Sequence, residues 1–304
     1  MYQAQRPSRS EFVPIRNIKY HVRLWGQSSP DKPPLVMVHG WMDVAASWQF
    51  VVDALAQDRW VIAPDWRGYG LTEVLPTDNY WFPDYLADLD FLLDHYAGTT
   101  PVDLVGHSMG GNIAMMYAGV RPGRIRRLVN LEGFGMGQTD PSQAAGRYAK
   151  WIDELKALHK GELALKPYGD ASGVARRLMR TNPRLPQDKA DWLATHWAHV
   201  NADGKWAILG DPAHKIINAH LYQVPEALEL YQRITAPTLS VEASDNSLEK
   251  WWAGKYTMAQ YHERLKNVPD VCSSVITDAG HMLHHDQPGQ LARLIEDFLG
   301  KDSP

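Results

Sequence analysis

The sequence predicts an α/β protein: a doubly wound, mostly parallel sheet of about eight strands, interrupted by a helical insertion. Three observations predict it. Short apolar runs alternate with helical patterns from residue 17 to residue 134, the rhythm of strand–helix–strand units. That rhythm lapses from about 135 to 232 and returns at 236. Between a β-type run and a helical run stands Gly106-His107-Ser108-Met109-Gly110, a G-x-S-x-G turn.

Taken in order, residues 1–13 read as a loose tail. Asn17 to Trp25 alternates, with Ile18, Tyr20, Val22 and Leu24 on one face, as a half-buried strand does. Pro34 to Val38 is a continuous apolar run and reads as a central strand buried on both faces. It ends in His39-Gly40-Trp41, and a helical pattern follows Asp43 through Trp48, Val51, Val52 and Leu55. Trp60 to Ala63 is a second buried strand, ending in Pro64-Asp65-Trp66-Arg67-Gly68-Tyr69-Gly70. Residues 82–96 form an amphipathic helix, with Tyr85, Leu86, Leu89, Leu92 and Leu93 inward and Asp84, Asp88, Asp90 and Asp94 outward. Val102 to Val105 leads into the serine turn and its helix, and Arg127 to Leu131 is the next strand, ending at Glu132.

The segment 135–232 reads as helices over 144–158, 171–181, 189–198 and 225–233. It is rich in aromatic and basic groups, among them Tyr148, Trp151, Tyr168, Arg176, Arg177, Arg180, Trp192, Trp197, Trp206 and Tyr222. A strand at 236–241, a helix at 248–267, a strand at 274–277 and a helix at 288–299 complete the chain. The domain reading is a core of 1–134 and 233–304 with a helical cap at 135–232.

Bulk properties narrow the function. With 304 residues, 44% of them hydrophobic, the chain can bury a large core. A net charge of −4 argues against a nucleic-acid footprint. The chain has no apolar run long enough for a membrane span, and its polar, basic N-terminus does not read as a secretory signal. One cysteine, Cys272, excludes an internal disulfide. The expectation is a cytoplasmic protein with a small-molecule substrate and no cofactor or metal, its oligomeric state open.

In parallel sheets ligands gather at the carboxyl ends of strands, so His39, Asp65, Ser108 and Glu132 are expected along one edge. Together His39-Gly40-Trp41, the Asp65–Gly70 run, Gly106–Gly111 and Asp278-Ala279-Gly280-His281 resemble the α/β-hydrolase superfamily over nearly the whole chain. The insertion resembles the cap of the branch that holds epoxide hydrolases, haloalkane dehalogenases and cap-bearing esterases, and within it the serine-hydrolase-like members. The resemblance implies Ser108 as nucleophile, His281 as base, and backbone N–H groups of Trp41 and Met109 as the oxyanion hole. For the triad acid it leaves two positions open: Glu132, favoured here because a carboxylate ending an apolar strand calls for a partner, and Asp245, in the Glu242–Asn246 turn. Asp65 and Arg67 read as structural, and His284 and His285 as structural or solvent-facing rather than metal ligands.

A serine nucleophile does not carry the carboxylate-attack reactions of that branch. It implies acyl transfer, with a carboxylic ester of an apolar or aromatic group as the expected substrate. The alternatives are a carbon–carbon bond hydrolase or a lactonase and, in another class, a small-molecule receptor of the same fold.

Overall fold

The computed structural model describes residues 2–301. Its main sheet has eight strands: β1 (Arg9–Ile15), β2 (Ile18–Trp25), β3 (Leu35–Val38), β4 (Val61–Pro64), β5 (Val102–His107), β6 (Ile125–Leu131), β9 (Thr238–Ala243) and β10 (Val271–Ile276). The spatial order is β1-β2-β4-β3-β5-β6-β9-β10. Only the β1–β2 and β2–β4 pairs are antiparallel; every later pair is parallel. A short hairpin of β7 (Ala198–Val200) and β8 (Trp206–Ile208) lies apart, in a segment that the sequence pattern reads as helical.

Alternation along the central strands supplies both layers of core. Val36, Val38 and Leu104 face α2 (Phe82–Ala97) and α3 (Met109–Val120), packing with Leu89, Leu92, Ile113 and Tyr117. Leu35, Met37 and Val105 face the other way, toward Val51 and Val52 of α1 (Gln49–Ala54). These strands are therefore apolar on both faces and read as continuous runs. Between β6 and β9 lie α4 (Ala144–His159), α5 (Ala171–Thr181), α6 (Gln187–Trp197) and α7 (Val224–Gln232). Helices α5 and α6 dock on Val44, Ala46 and Phe50 through a core of their own that includes Val174, Leu178, Leu193 and Trp197. Helix α7 lies against α3 so closely that a Cβ at Gly119 would collide with the Leu230 carbonyl. It thus joins the helix layer on the sheet, although the sequence reading places it with the insertion. After β9 come α8 (Ser247–Trp252) and α9 (Met258–Leu265); α10 (Leu283–Asp286) and α11 (Pro288–Leu299) follow β10.

Several expectations are corrected. The tail contains β1, paired with β2 over its whole length, and Tyr2 is anchored by its hydroxyl to Asp53. Strand β2 is buried on both faces from Tyr20 onward, because His21 pairs with Asp65 at 2.6 Å and Trp25 donates to Gln49 at 3.0 Å. Asp88 points inward. It is fully buried, taking hydrogen bonds from Tyr20 (2.5 Å), Arg67 (2.6 and 2.7 Å) and Arg16 (3.1 Å). The helix expected over 248–267 breaks at Ala253 and Gly254, both in the left-handed region. Of the two readings open for His284 and His285, structural or solvent-facing, burial leaves the structural one.

Candidate active site

The parallel register sets the site. His107 of β5 pairs with Leu131 of β6, and Leu131 pairs with Val241 of β9. Ser108 and Glu132 therefore step off adjacent strand ends together. Hydrogen bonds continue the ladder across them: Ser108 N–H donates to the Leu131 carbonyl at 2.8 Å, and Glu132 N–H to the Val241 carbonyl at 3.0 Å.

Ser108 has φ 53° and ψ −116°, a conformation that an L side chain adopts only when its surroundings enforce it. Its neighbours enforce it. A Cβ at Gly106 would collide with the Gly110 carbonyl, and one at Gly110 with the Val38 carbonyl. The turn can close only with glycine at both places. Helix α3 starts immediately, and the Asn112 N–H donates to the Ser108 carbonyl at 3.0 Å. Glu132 is likewise left-handed, at φ 55°, as are Met42 and Asp278 at the same edge.

Glu132 is almost fully buried, and three donors surround its carboxylate. Ala243 N–H donates to Oε1 at 2.7 Å; Ser247 Oγ (2.5 Å) and His281 Nδ1 (3.2 Å) meet Oε2. The His281 ring is fixed further by Trp251, which meets it edge-on at 4.1 Å, and by His107 Nε2, 2.8 Å from its backbone carbonyl. Burial pushes the His281 imidazole below its ordinary pKa, and Glu132 pulls against that shift. The balance favours a neutral ring at neutral pH, the form that can accept a proton.

Asp245 is not brought to His281. It is 39% exposed and its Oδ2 lies 2.9 Å from an Arg184 Nη, in an ion pair at the rim. The other sequence candidates fall where expected along the strand ends. His39 is buried, with Nε2 accepting the Trp66 N–H at 2.9 Å, and Asp65 binds His21 and the Ala45 N–H. Gly40 brings its loop against Ser108, since a Cβ on it would lie 3.0 Å from the Ser108 Cβ. Among the described residues, the backbone N–H groups of Trp41 and Met109 donate to no protein acceptor. The Trp41 indole N–H donates to the His214 carbonyl at 3.1 Å.

Ser108, Met109, Trp41 and Glu132 all line one cavity of about 1,040 Å³. Its wall is largely aromatic and thioether, with Trp81, Met116, Phe134, Tyr222, Trp251 and Trp252 among its members. Of the insertion's aromatics singled out in the sequence, Tyr148 and Tyr222 reach this cavity. Tyr168, Trp192, Trp197 and Trp206 instead pack with the α5–α6 core. The insertion's basic residues that line the cavity are Arg147 and His220, and sequence reasoning missed both. The signal for Arg147 was helical spacing, because Ala144, Arg147 and Tyr148 share one face of α4. Ser247 and Trp251 were missed as well; both sit on the short helix after β9.

Among the described residues, one group could hold a metal ion: Asp43, His107 and His284, all buried, with donor atoms within 4.8 Å of one another. His107 Nδ1, Asp43 Oδ2 and both His284 ring nitrogens have no hydrogen-bond partner.

A strand-end serine at a strained glycine-flanked turn, with a histidine–carboxylate pair at the same edge of the sheet, is the arrangement of the hydrolase class of α/β sheets. The chain belongs to the alpha/beta hydrolase fold family, whose model matches residues 33–288. It is 25% identical over 305 residues to a serine hydrolase-like protein of Danio rerio, covering 98% of this chain and 91% of that one. It is 33% identical over 326 residues to an epoxide hydrolase 2 of Siraitia grosvenorii, covering 95% and 97%. Among solved structures, a thioesterase domain from the curacin biosynthetic pathway superposes with a TM-score of 0.81 at 23% identity, covering 95% of this chain and 99% of that one.

Proposed function

We propose that the protein is a serine hydrolase that cleaves carboxylic esters of small to medium apolar or aromatic groups through an acyl-enzyme. The observation that carries this reading is the hydrogen bond from His281 to Glu132, which leaves the strand next to that of the strained Ser108. In this reading His281 Nε2 takes the Ser108 hydroxyl proton as Oγ attacks the ester carbonyl. The oxygen of the tetrahedral intermediate receives the Trp41 and Met109 N–H groups, which have no other acceptor to leave. His281 then returns the proton to the departing alkoxide. Water, deprotonated by the same nitrogen, releases the acid from Ser108. Glu132 holds the proton on Nδ1 and stabilises the imidazolium; Asp245 has no part in the chemistry. The insertion acts as a cap, with α4 and the segment before α7 closing the acyl or alcohol side of the cavity.

The test is a fluorophosphonate probe with the modified residue located by mass spectrometry. Stoichiometric labelling at Ser108, absent in Ser108→Ala, is expected, followed by turnover of aryl esters. A folded protein that is neither labelled nor active on any ester would refute the reading and favour a receptor of the same fold.

A further inference from the structure

The cavity beside Ser108 holds a cation with no counter-charge. Arg147, half-buried on α4, makes no ion pair or hydrogen bond among the described residues, and its Nε is buried without an acceptor. Other guanidiniums drawn into the fold have a partner: Arg67 has Asp84 and Asp88, Arg59 and Arg126 share Asp103, and Arg23 and Arg127, without a carboxylate, are held by Ser8 Oγ with His196 and by the Lys301 carbonyl. A buried Nε without an acceptor recurs at Arg23, Arg59, Arg126 and Arg127, so it is the lack of any partner at all that sets Arg147 apart. The cavity has two acidic residues. Glu132 is saturated by its three donors. Glu226, on α7, is exposed and forms no ion pair with Arg147. A buried guanidinium N–H facing an apolar chamber is costly until an acceptor arrives.

We propose that Arg147 anchors a carboxylate on the non-reacting half of the substrate. The preferred ester then has an apolar body and a terminal carboxylate. This rests on the hydrolase reading above and deepens it. The Nε edge of the guanidinium, with the adjacent Nη, offers the two parallel donors that a carboxylate takes. The largely apolar wall of the cavity that Arg147 and Ser108 share matches the body of such a substrate. A monoanion fits better than a phosphate dianion, because the chamber supplies one free positive charge and Glu226 opposes a second negative one.

The test compares 4-nitrophenyl hydrogen adipate with its neutral partner, 4-nitrophenyl methyl adipate. The wild-type protein is expected to favour the charged ester in kcat/KM by about ten-fold or more. Arg147→Ala is expected to cut that charged-to-neutral ratio by about ten- to hundred-fold, the loss of a hydrogen bond to a charged group. Arg147→Lys should recover part of it, and Glu226→Gln should raise it. An unchanged ratio in Arg147→Ala overturns the proposal. So does preference for the phosphate-terminated analogue. If the neutral ester is hydrolysed while the ratio does not respond, the anion site falls and the hydrolase reading stands. If neither ester is turned over, monomethyl adipate is titrated calorimetrically into Ser108→Ala and Ser108→Ala/Arg147→Ala. Binding lost with Arg147 supports the anion site, whereas no binding to Ser108→Ala overturns it.

Discussion

Replacing Glu132 by glutamine changes one atom, and the structure indicates how the new amide would sit. Ala243 N–H, 2.7 Å from Oε1, needs an acceptor, so the amide oxygen must stay there. The NH2 group then takes the place of Oε2, facing Ser247 Oγ and His281 Nδ1. Serine can turn its hydroxyl to accept, but Nδ1 can accept only by giving up its proton. The ring is driven to carry hydrogen on Nε2, the nitrogen that takes the Ser108 proton in the proposed mechanism. An acid-to-amide exchange behind a catalytic histidine lowers kcat by about 10⁴. Here the Nδ1–Oε2 separation of 3.2 Å is longer than the usual charge-assisted range, so a loss of about 10³ is expected, near 4 kcal/mol. Fluorophosphonate labelling rates and aryl-ester kcat measure it without knowledge of the natural substrate, with circular dichroism as the folding control. Asp245→Asn should lose less than about five-fold, since its exposed pair with Arg184 is of the weak kind. A Glu132→Gln protein within ten-fold of wild type, or a larger loss in Asp245→Asn, would refute the assignment.

Three further outcomes follow from the same geometry. Ser108→Gly should abolish labelling yet raise stability in urea by about 1 kcal/mol, because glycine relieves the strained φ; a destabilised variant would contradict strain at the turn. Asp88→Ala should destabilise by about 3–5 kcal/mol, since it removes the buried carboxylate that takes Arg67, Arg16 and Tyr20 together and leaves Arg67 only Asp84; a melting temperature equal to wild type would refute that. His214, stacked between Tyr69 and Tyr80, is lowered by burial to about 3. Its folded pKa lies below the unfolded one, so the unfolded chain binds the proton first and stability falls as pH drops below about 6.5. By pH 5 that is about 2 kcal/mol for this residue, and His214→Phe should reduce the measured proton uptake on unfolding near pH 5 by about one.

Much of the site was legible because strand ends are. An apolar run followed by a lone polar residue marks both a buried strand and its functional edge, as Leu131-Glu132 and Val38-His39 do. The choice of acid was harder. Glu132 and Asp245 end neighbouring loops, and the proposed choice of Glu132 rests on its contact with His281 Nδ1 and on Arg184 claiming Asp245. Asp88 was misread because helical periodicity counts every carboxylate as outward, while two arginines and a tyrosine can make the inside the better place for it. The tryptophans of α6 and β8 look like pocket residues in composition, but they pack with the α5–α6 core. Arg147 was invisible for the opposite reason: one arginine at one turn of a helix becomes meaningful only once the wall across from it is known.

The serine turn is held by main-chain hydrogen bonds and by backbone crowding at Gly106 and Gly110; the Ser108 hydroxyl takes no part in keeping its shape. The scaffold thus separates the placement of a nucleophile from its identity. A cysteine or an aspartate set at position 108 inherits the same exposed perch, the same histidine and the same two unclaimed N–H groups. In evolutionary terms the loop is a socket: a change of side chain at 108 leaves the sheet, its register and its core as they are.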